Sequence, residues 1–238
     1  MTEQKFIAAL AEKGITLTDT QVKQFKQYFQ ILVEWNQKMN LTAITDLQGV
    51  YLKHFYDSLM PLWHVDLEAH ASLCDVGAGA GFPSIPIKIV RPDLHITIID
   101  SLNKRIQFLQ HLSKELGLDH VQAIHARAEE AGQDTQLRGQ FDYVTARAVA
   151  SLNVLSELCL PLVKKGGYFI ALKGHQADQE IAQAQQAFKE LGAKFEAQAI
   201  DSLPVEESDR AILSIKKTLD TPKKYPRRAG KPAKQPIV

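Results

Sequence analysis

Cysteine is scarce in this chain: there are two in 238 residues, Cys74 and Cys159, each inside an apolar run. Neither has a second Cys or a His at metal-ligand spacing, so two buried thiols are expected, with no disulfide framework and no metal. Long hydrophobic runs are missing too. No segment approaches the ~20 apolar residues that cross a bilayer. The opening residues, with Glu3, Lys5 and Glu12, hold no apolar stretch of the signal-peptide kind, so a cytoplasmic protein is expected.

A dominant charge is also absent, because 28 Lys and Arg oppose 27 Asp and Glu. The balance conceals an asymmetry. Residues 216–238 carry Lys216, Lys217, Lys223, Lys224, Arg227, Arg228, Lys231 and Lys234 against one acid, Asp220, which leaves the rest of the chain mildly acidic. Four prolines and a glycine in that stretch argue against a packed element. An extended or partly disordered arm is expected, with Lys223, Lys224, Arg227, Arg228, Lys231 and Lys234 as candidate contacts to RNA phosphates.

What is present is enough apolar residue, 45% of the chain, to bury one substantial core. Phe6, Ile7 and Leu10 share a helical face. Val22, Phe25, Phe29, Leu32 and Val33 repeat at helical spacing after a Thr18/Asp19 cap. With residues 35–63 they form a helical preface. From Leu73 the pattern changes to β-rich runs at 73–76, 95–99, 121–125, 143–146 and 168–172, alternating with helical stretches such as 104–116, 152–163 and 179–191. That order predicts a parallel, doubly wound sheet. Two further runs, 194–200 and 211–216, are separated only by a turn containing Pro204, which predicts an antiparallel closing pair. The expected architecture is a Rossmann-like α/β domain: seven strands, mostly parallel, the last antiparallel. Its expected parts are a helical extension at 1–66, a cofactor-binding domain at 67–217 and a basic tail at 218–238.

The strongest local signal is Asp75-Val-Gly77-Ala-Gly79-Ala-Gly81-Phe82-Pro83, where the first strand should turn into a helix. Alternating glycines permit turn angles closed to other residues and let a ligand approach the main chain. A dinucleotide-binding turn would place its third glycine one residue later, to seat a pyrophosphate. Here an acid precedes the turn instead, which suits the ammonium and sulfonium of S-adenosylmethionine. Asp100, about twenty residues on, ends the second strand; it is placed either to accept ribose hydroxyls or to cap the next helix. Ala128-Glu129 follows the third strand, Glu129 serving as adenine contact or helix-start acid. Arg147 and Lys173 end the fourth and fifth strands. Either cation could reach the edge of a guanine, a phosphate or the cofactor carboxylate. His54 and Asp57 stand at i, i+3, read first as a hydrogen-bonded pair anchoring the preface.

Two absences narrow the chemistry. No Asn/Asp-Pro-Pro-aromatic follows the fourth strand, as methylation of exocyclic amines would require, and neither cysteine has the Pro-Cys setting of a nucleophile attacking a pyrimidine. Guanine N7, with an in-plane lone pair and no proton to lose, needs positioning more than a base.

Over almost its whole length the chain resembles the bacterial RsmG family, also called glucose-inhibited division protein B. The resemblance rests on Trp35-Asn36, Asn40-Leu41-Thr42, His54, Asp57-Ser58-Leu59, the 75–83 turn, Asp100-Ser101, Lys104-Arg105, Arg147-Ala148, Ser151-Leu152, Leu172-Lys173-Gly174 and residues 225–232. It implies methylation of guanine N7 in 16S ribosomal RNA, alone or in the small subunit, by a monomer that uses S-adenosylmethionine and yields S-adenosylhomocysteine. It also implies cofactor contacts at Gly77, Phe82, Ala128, Glu129 and Arg147, with Asp100, Ser101 and Leu102 beside the adenosine. Asp75 and Gly79 join these from the turn itself. A non-catalytic RNA-binding assembly factor and a small-molecule methyltransferase are the alternatives, disfavoured respectively by the intact turn and by the basic tail.

Overall fold

The computed structural model describes residues 1–147, 150–174, 176–204, 206 and 208–238; Ala148 lies outside them. The β-branched runs become strands β1 (Ser72–Val76), β2 (His95–Asp100), β3 (Val121–His125), β4 (Phe141–Arg147), β5 (Val163–Lys173), β6 (Ala193–Ser202) and β7 (Asp209–Lys217). They form one sheet in the order β3-β2-β1-β4-β5-β7-β6. Asp75 stands opposite Ile98 on one side and Thr145 on the other, both in parallel register. β7 runs antiparallel to both β5 and β6, pairing Leu172 with Ile212 and Ile200 with Ala211. The closing pair is therefore the antiparallel one that the helix-free connection demands. The order reverses between β1 and β4, and the carboxyl ends of strands at such a switch point leave a crevice for a ligand.

The N-terminal helices, α1 (Glu3–Glu12) and α2 (Asp19–Asn36), lie on one face of this sheet. Thr18 caps α2 in a reciprocal box with Gln21. Phe6, Phe25, Tyr28 and Leu32 are buried and share a core with Ile85, Ile96, Phe108 and Leu109. Each such side chain contributes roughly 1.5–3 kcal/mol by leaving water. Aromatic rings interlock there: Phe6 meets Phe25 edge-on with centroids 5.0 Å apart. The sheet helices are α3 (Ser84–Val90), α4 (Asn103–Glu115), α5 (Ala128–Ala131), α6 (Leu152–Cys159) and α7 (Ala177–Glu190). α6 stops four residues short of the expected end, because Pro161 has no N–H to continue it and Val163 already begins β5.

The tail departs from expectation. Tyr225 and Ile237 are buried in the core on the other face, among Leu155, Phe188 and Leu191. Arg138 donates to the carbonyls of Thr221 (2.7 Å), Pro222 (3.2 Å) and Tyr225 (2.7 Å). Arg227 pairs with the buried Glu157 through Nε (2.8 Å) and Nη2 (2.5 Å). The bare α-carbon of Gly132 makes room for Pro226, whose ring atoms Cγ and Cδ lie 2.7 and 2.9 Å from where a Cβ would stand. The chain ends past a short helix, α8 (Lys231–Lys234). Proline content misleads here because prolines bring no N–H to satisfy, while the Arg138 guanidinium and the Gln133 amide take carbonyls of the segment; it packs without a ladder. Arg227, expected on RNA, is thus committed to Glu157. Lys223, Lys224, Arg228, Lys231 and Lys234 remain exposed.

Candidate active site

Beyond β1 the backbone takes left-handed angles at Gly77 (φ 76°), Gly79 (φ 61°) and Gly81 (φ 96°). The glycines serve different ends. A Cβ on Gly79 would meet nothing within 4 Å, so that position faces open space. One on Gly81 would lie 2.8 Å from Ile85 Cγ1 and 2.9 Å from Tyr28 Oη, so that position lets α2 approach. Tyr28 also donates to Ala80 O at 2.6 Å, which fixes the turn against the helical extension.

Asp75 does not reach the crevice. Its carboxylate is fully enclosed beneath the turn, where Oδ2 accepts the Ser84 N–H at 3.1 Å and starts α3. Oδ1 has no partner among the described residues, and burial pushes the acid up to about 7. At the tip of β2, Asp100 accepts the N–H of Gly79 (3.2 Å) and of Leu102 (2.9 Å), with Arg105 Nη1 3.4 Å away. The N-cap of α4 is Leu102 rather than Asp100, so Asp100 ties the tips of β1 and β2 together at the crevice wall. Ser101 lines that wall as well, whereas Leu102 is half exposed just outside it.

On the opposite wall Arg147 is held from four sides. Nη1 donates to Asp57 Oδ2 (2.6 Å) and to Lys53 O (3.1 Å), His54 Nδ1 lies 3.4 Å from Nη2, and Cζ sits 5.1 Å over the Phe82 ring. Asp57 is shared, since Oδ1 accepts from Arg210 Nε at 2.7 Å. The expected His54–Asp57 pair is absent. Residues Val50–Tyr56 form a wider π-helical turn, in which i, i+3 neighbours no longer face each other. His54 instead stacks on Phe82 with centroids 4.5 Å apart and shares a hydrogen bond with Thr42 Oγ1 at 2.8 Å. Burial, and then the Arg147 charge, lower its pKa to about 4, so the ring is neutral near pH 7.

Lys173 donates to Ala150 O (2.7 Å) and pairs with Glu180 (2.6 Å), while Glu129 Oε1 accepts the Gly230 N–H at 2.9 Å. These residues enclose a crevice of about 960 Å³ that Gly77, Gly79, Phe82, Asp100, Ser101, Ala128, Glu129, Arg147 and Lys173 all line. Six cations (Lys53, Arg105, Arg127, Arg147, Lys173, Arg210) and four carboxylates (Asp57, Asp100, Glu129, Glu180) stand among its described lining residues, leaving it mildly positive. Arg210 and Arg127 were not anticipated. Nothing near Arg210 in sequence signals that Asp57 lies beside it, although Arg105 was in view through the Lys104-Arg105 pair. Among the described residues no group of three His, Cys, Asp or Glu could hold a metal ion.

The model of the GidB family, described as rRNA small subunit methyltransferase G, matches residues 21–207. The chain belongs to this family. It is 59% identical over 237 residues to Ribosomal RNA small subunit methyltransferase G of Lysinibacillus sphaericus, covering 100% of both chains. The relative of that name in Listeria monocytogenes serotype 4b (strain F2365) is 57% identical, again over 100% of both. Among solved structures, M. jannaschii TYW2 in complex with AdoMet has a TM-score of 0.55 at 14% identity, covering 74% of this chain and 79% of that one. The [4+2]-cyclase SpnF reaches 0.57 at 14% identity, covering 85% and 97%. The two neighbours share the fold of this GidB-family chain, and a shared fold of this kind does not by itself fix function.

Proposed function

We propose that this chain transfers the methyl group of S-adenosylmethionine to N7 of a guanine in 16S ribosomal RNA, as a cytoplasmic monomer acting on the RNA or the small subunit. The observation that carries this reading is the crevice at the β1/β4 switch point. Its floor is a left-handed glycine turn, open above Gly79 where a Cβ would stand, and its walls present a carboxylate on one side and a clamped guanidinium on the other. That arrangement fits the cofactor. Asp100 would accept the ribose hydroxyls, Ala128 and Glu129 would flank the adenine beside Ser101 and Leu102, Gly77 and Gly79 would admit the methionyl chain, and Arg147 would take its carboxylate. Asp75 would act from beneath the turn by holding its shape.

When bound, the cofactor supplies an electrophilic methyl on its sulfonium. The protein's work is then to orient the acceptor and exclude water. Arg147 and Lys173 present cations from the ends of adjacent strands, and a guanidinium or ammonium can donate to guanine O6 while leaving N7 free. His54, flat on Phe82 and neutral near pH 7, adds no charge of its own to those already around the crevice. The excess of cations around the crevice, with Lys223, Lys224, Arg228, Lys231 and Lys234 on the tail, suits a phosphate backbone. No helix of the described residues is long and apolar enough to cross a membrane.

The test is to incubate the protein with methyl-labelled S-adenosylmethionine and either 16S RNA or small subunits, then map the label. Label on a guanine, at a site that reduction and aniline treatment cleave, supports the proposal. Transfer only to small molecules, or none despite cofactor binding, contradicts it.

A further inference from the structure

The tail and the crevice meet at one hydrogen bond. Gly230 donates its N–H to Glu129 Oε1 at 2.9 Å, across 101 residues of sequence. Glu129 sits on α5, a helix of only four residues that cannot hold itself in place. The tail also grips the segment that leaves the C-terminal end of α5. Pro226 packs on the bare α-carbon of Gly132, Gln133 Nε2 donates to Pro226 O at 2.9 Å, and Arg138 bridges Gly132 O (2.6 Å) to Tyr225 O (2.7 Å). Gly230 is itself left-handed, at φ 79°, which turns its N–H toward the carboxylate.

We infer that Gly230 is a positioning residue for the cofactor: its N–H, presented by the docked tail, holds the Glu129 carboxylate in the crevice. The inference rests on the reading of the crevice as the S-adenosylmethionine site. A carboxylate on a one-turn helix has several rotamers, and fixing one in advance lowers the ordering cost that ligand binding would otherwise meet. The segment carrying exposed cations toward RNA is then the same segment that shapes the cofactor wall, so the two ligands are coupled through it, reciprocally.

Titration of the full-length protein with S-adenosylhomocysteine tests this. Gly230→Pro removes the N–H and cannot adopt the left-handed angle; affinity should fall about three- to tenfold. Gly230→Asn keeps the N–H and tolerates that angle, and should bind within about twofold of wild type. Glu129→Ala should also weaken binding, and adding Gly230→Pro to it should weaken it no further, the non-additivity that marks one shared path. Wild-type affinity in Gly230→Pro, or losses that add, would overturn the inference. A second measurement needs no variant: saturating S-adenosylhomocysteine should slow hydrogen exchange at the Gly230 amide, and unchanged exchange with ligand bound would also overturn it. Absence of binding by the wild-type protein would instead overturn the cofactor reading beneath it.

Discussion

The glycine turn after β1 lines the crevice and the tail after β7 braces one of its lining residues, Glu129, but the two are built in opposite ways. The turn is local: its shape comes from three left-handed glycines and from Asp75 accepting an N–H nine residues on. The tail is held by partners far away in sequence, Glu157 to Arg227 across 70 residues and Glu129 to Gly230 across 101. A locally determined feature leaves a signature in consecutive residues; a clasp between distant segments leaves none. The contrast also says how each should fail.

The largest effect is expected at the clasp. Arg227→Ala leaves the Glu157 carboxylate, whose side chain is 1% exposed, without its counter-charge and with only the backbone N–H of residue 227 (2.8 Å), and unpairing a buried charge of this kind costs about 3–5 kcal/mol. Urea unfolding monitored by circular dichroism reads this directly. A loss under about 1 kcal/mol, the ordinary worth of an exposed pair, would show that the tail is only loosely applied and would erase the contrast.

Next come the two glycines that face different ways. Gly81→Val drives a branched side chain into Tyr28 and Ile85 at a left-handed angle, and should cost about 2–4 kcal/mol of stability from overpacking and backbone strain. Gly79→Val carries the angular strain without the clash. It should lose less stability and should abolish S-adenosylhomocysteine binding, as judged by calorimetry on the folded variant. Equal stability losses would mean that the turn does not separate a core side from a ligand side.

The surroundings of the glycine turn should also titrate. His54 is held down to about 4 from an ordinary 6.5, so its contribution to stability is present above pH 6.5 and is lost as pH falls toward 4. Asp75 is held up at about 7 from 3.8, so its contribution is present below 3.8 and is lost as pH rises toward 7. The two slopes oppose each other, each at most about 1.4 kcal/mol per pH unit. Stability of wild type relative to His54→Phe should therefore rise with pH between about 4 and 6.5, and relative to Asp75→Asn it should fall between about 4 and 7. Parallel pH profiles for wild type and either variant would remove that group from the account.

Sequence reasoning reached different depths in these regions for the same reason. The mostly parallel, doubly wound sheet, the antiparallel closing pair and the Asp100 tip follow from period, spacing and short connections, which are local or topological rules. The approach of Arg210 to Asp57, the π-helical turn that separates His54 from Asp57, and the collection of tail carbonyls by Arg138 depend on which distant surfaces meet. Proline and lysine content read as a free arm because composition records solvation preference and not a single guanidinium seventy or more residues away. Asp75 stood in the motif yet lies beneath the turn, since alternate residues of β1 point to opposite sides of the sheet.

The smallest effects are expected from the exposed tail cations. Replacing Lys223, Lys224, Arg228, Lys231 or Lys234 singly by Gln should leave S-adenosylhomocysteine binding unchanged. Each that touches a phosphate should lower the slope of log RNA affinity against log salt by about 0.7–0.9. Unchanged slopes for all five would confine the tail to its structural part.

The central claim is that turn and tail together shape one cofactor site, and a crystal structure of the full-length protein with S-adenosylhomocysteine tests it most directly. The account predicts the ligand over Gly77 and Gly79, its ribose on Asp100, its adenine beside Glu129 with the Gly230 hydrogen bond intact, and its carboxylate toward Arg147. A ligand bound elsewhere, or bound there with the tail displaced from Glu129, would contradict it.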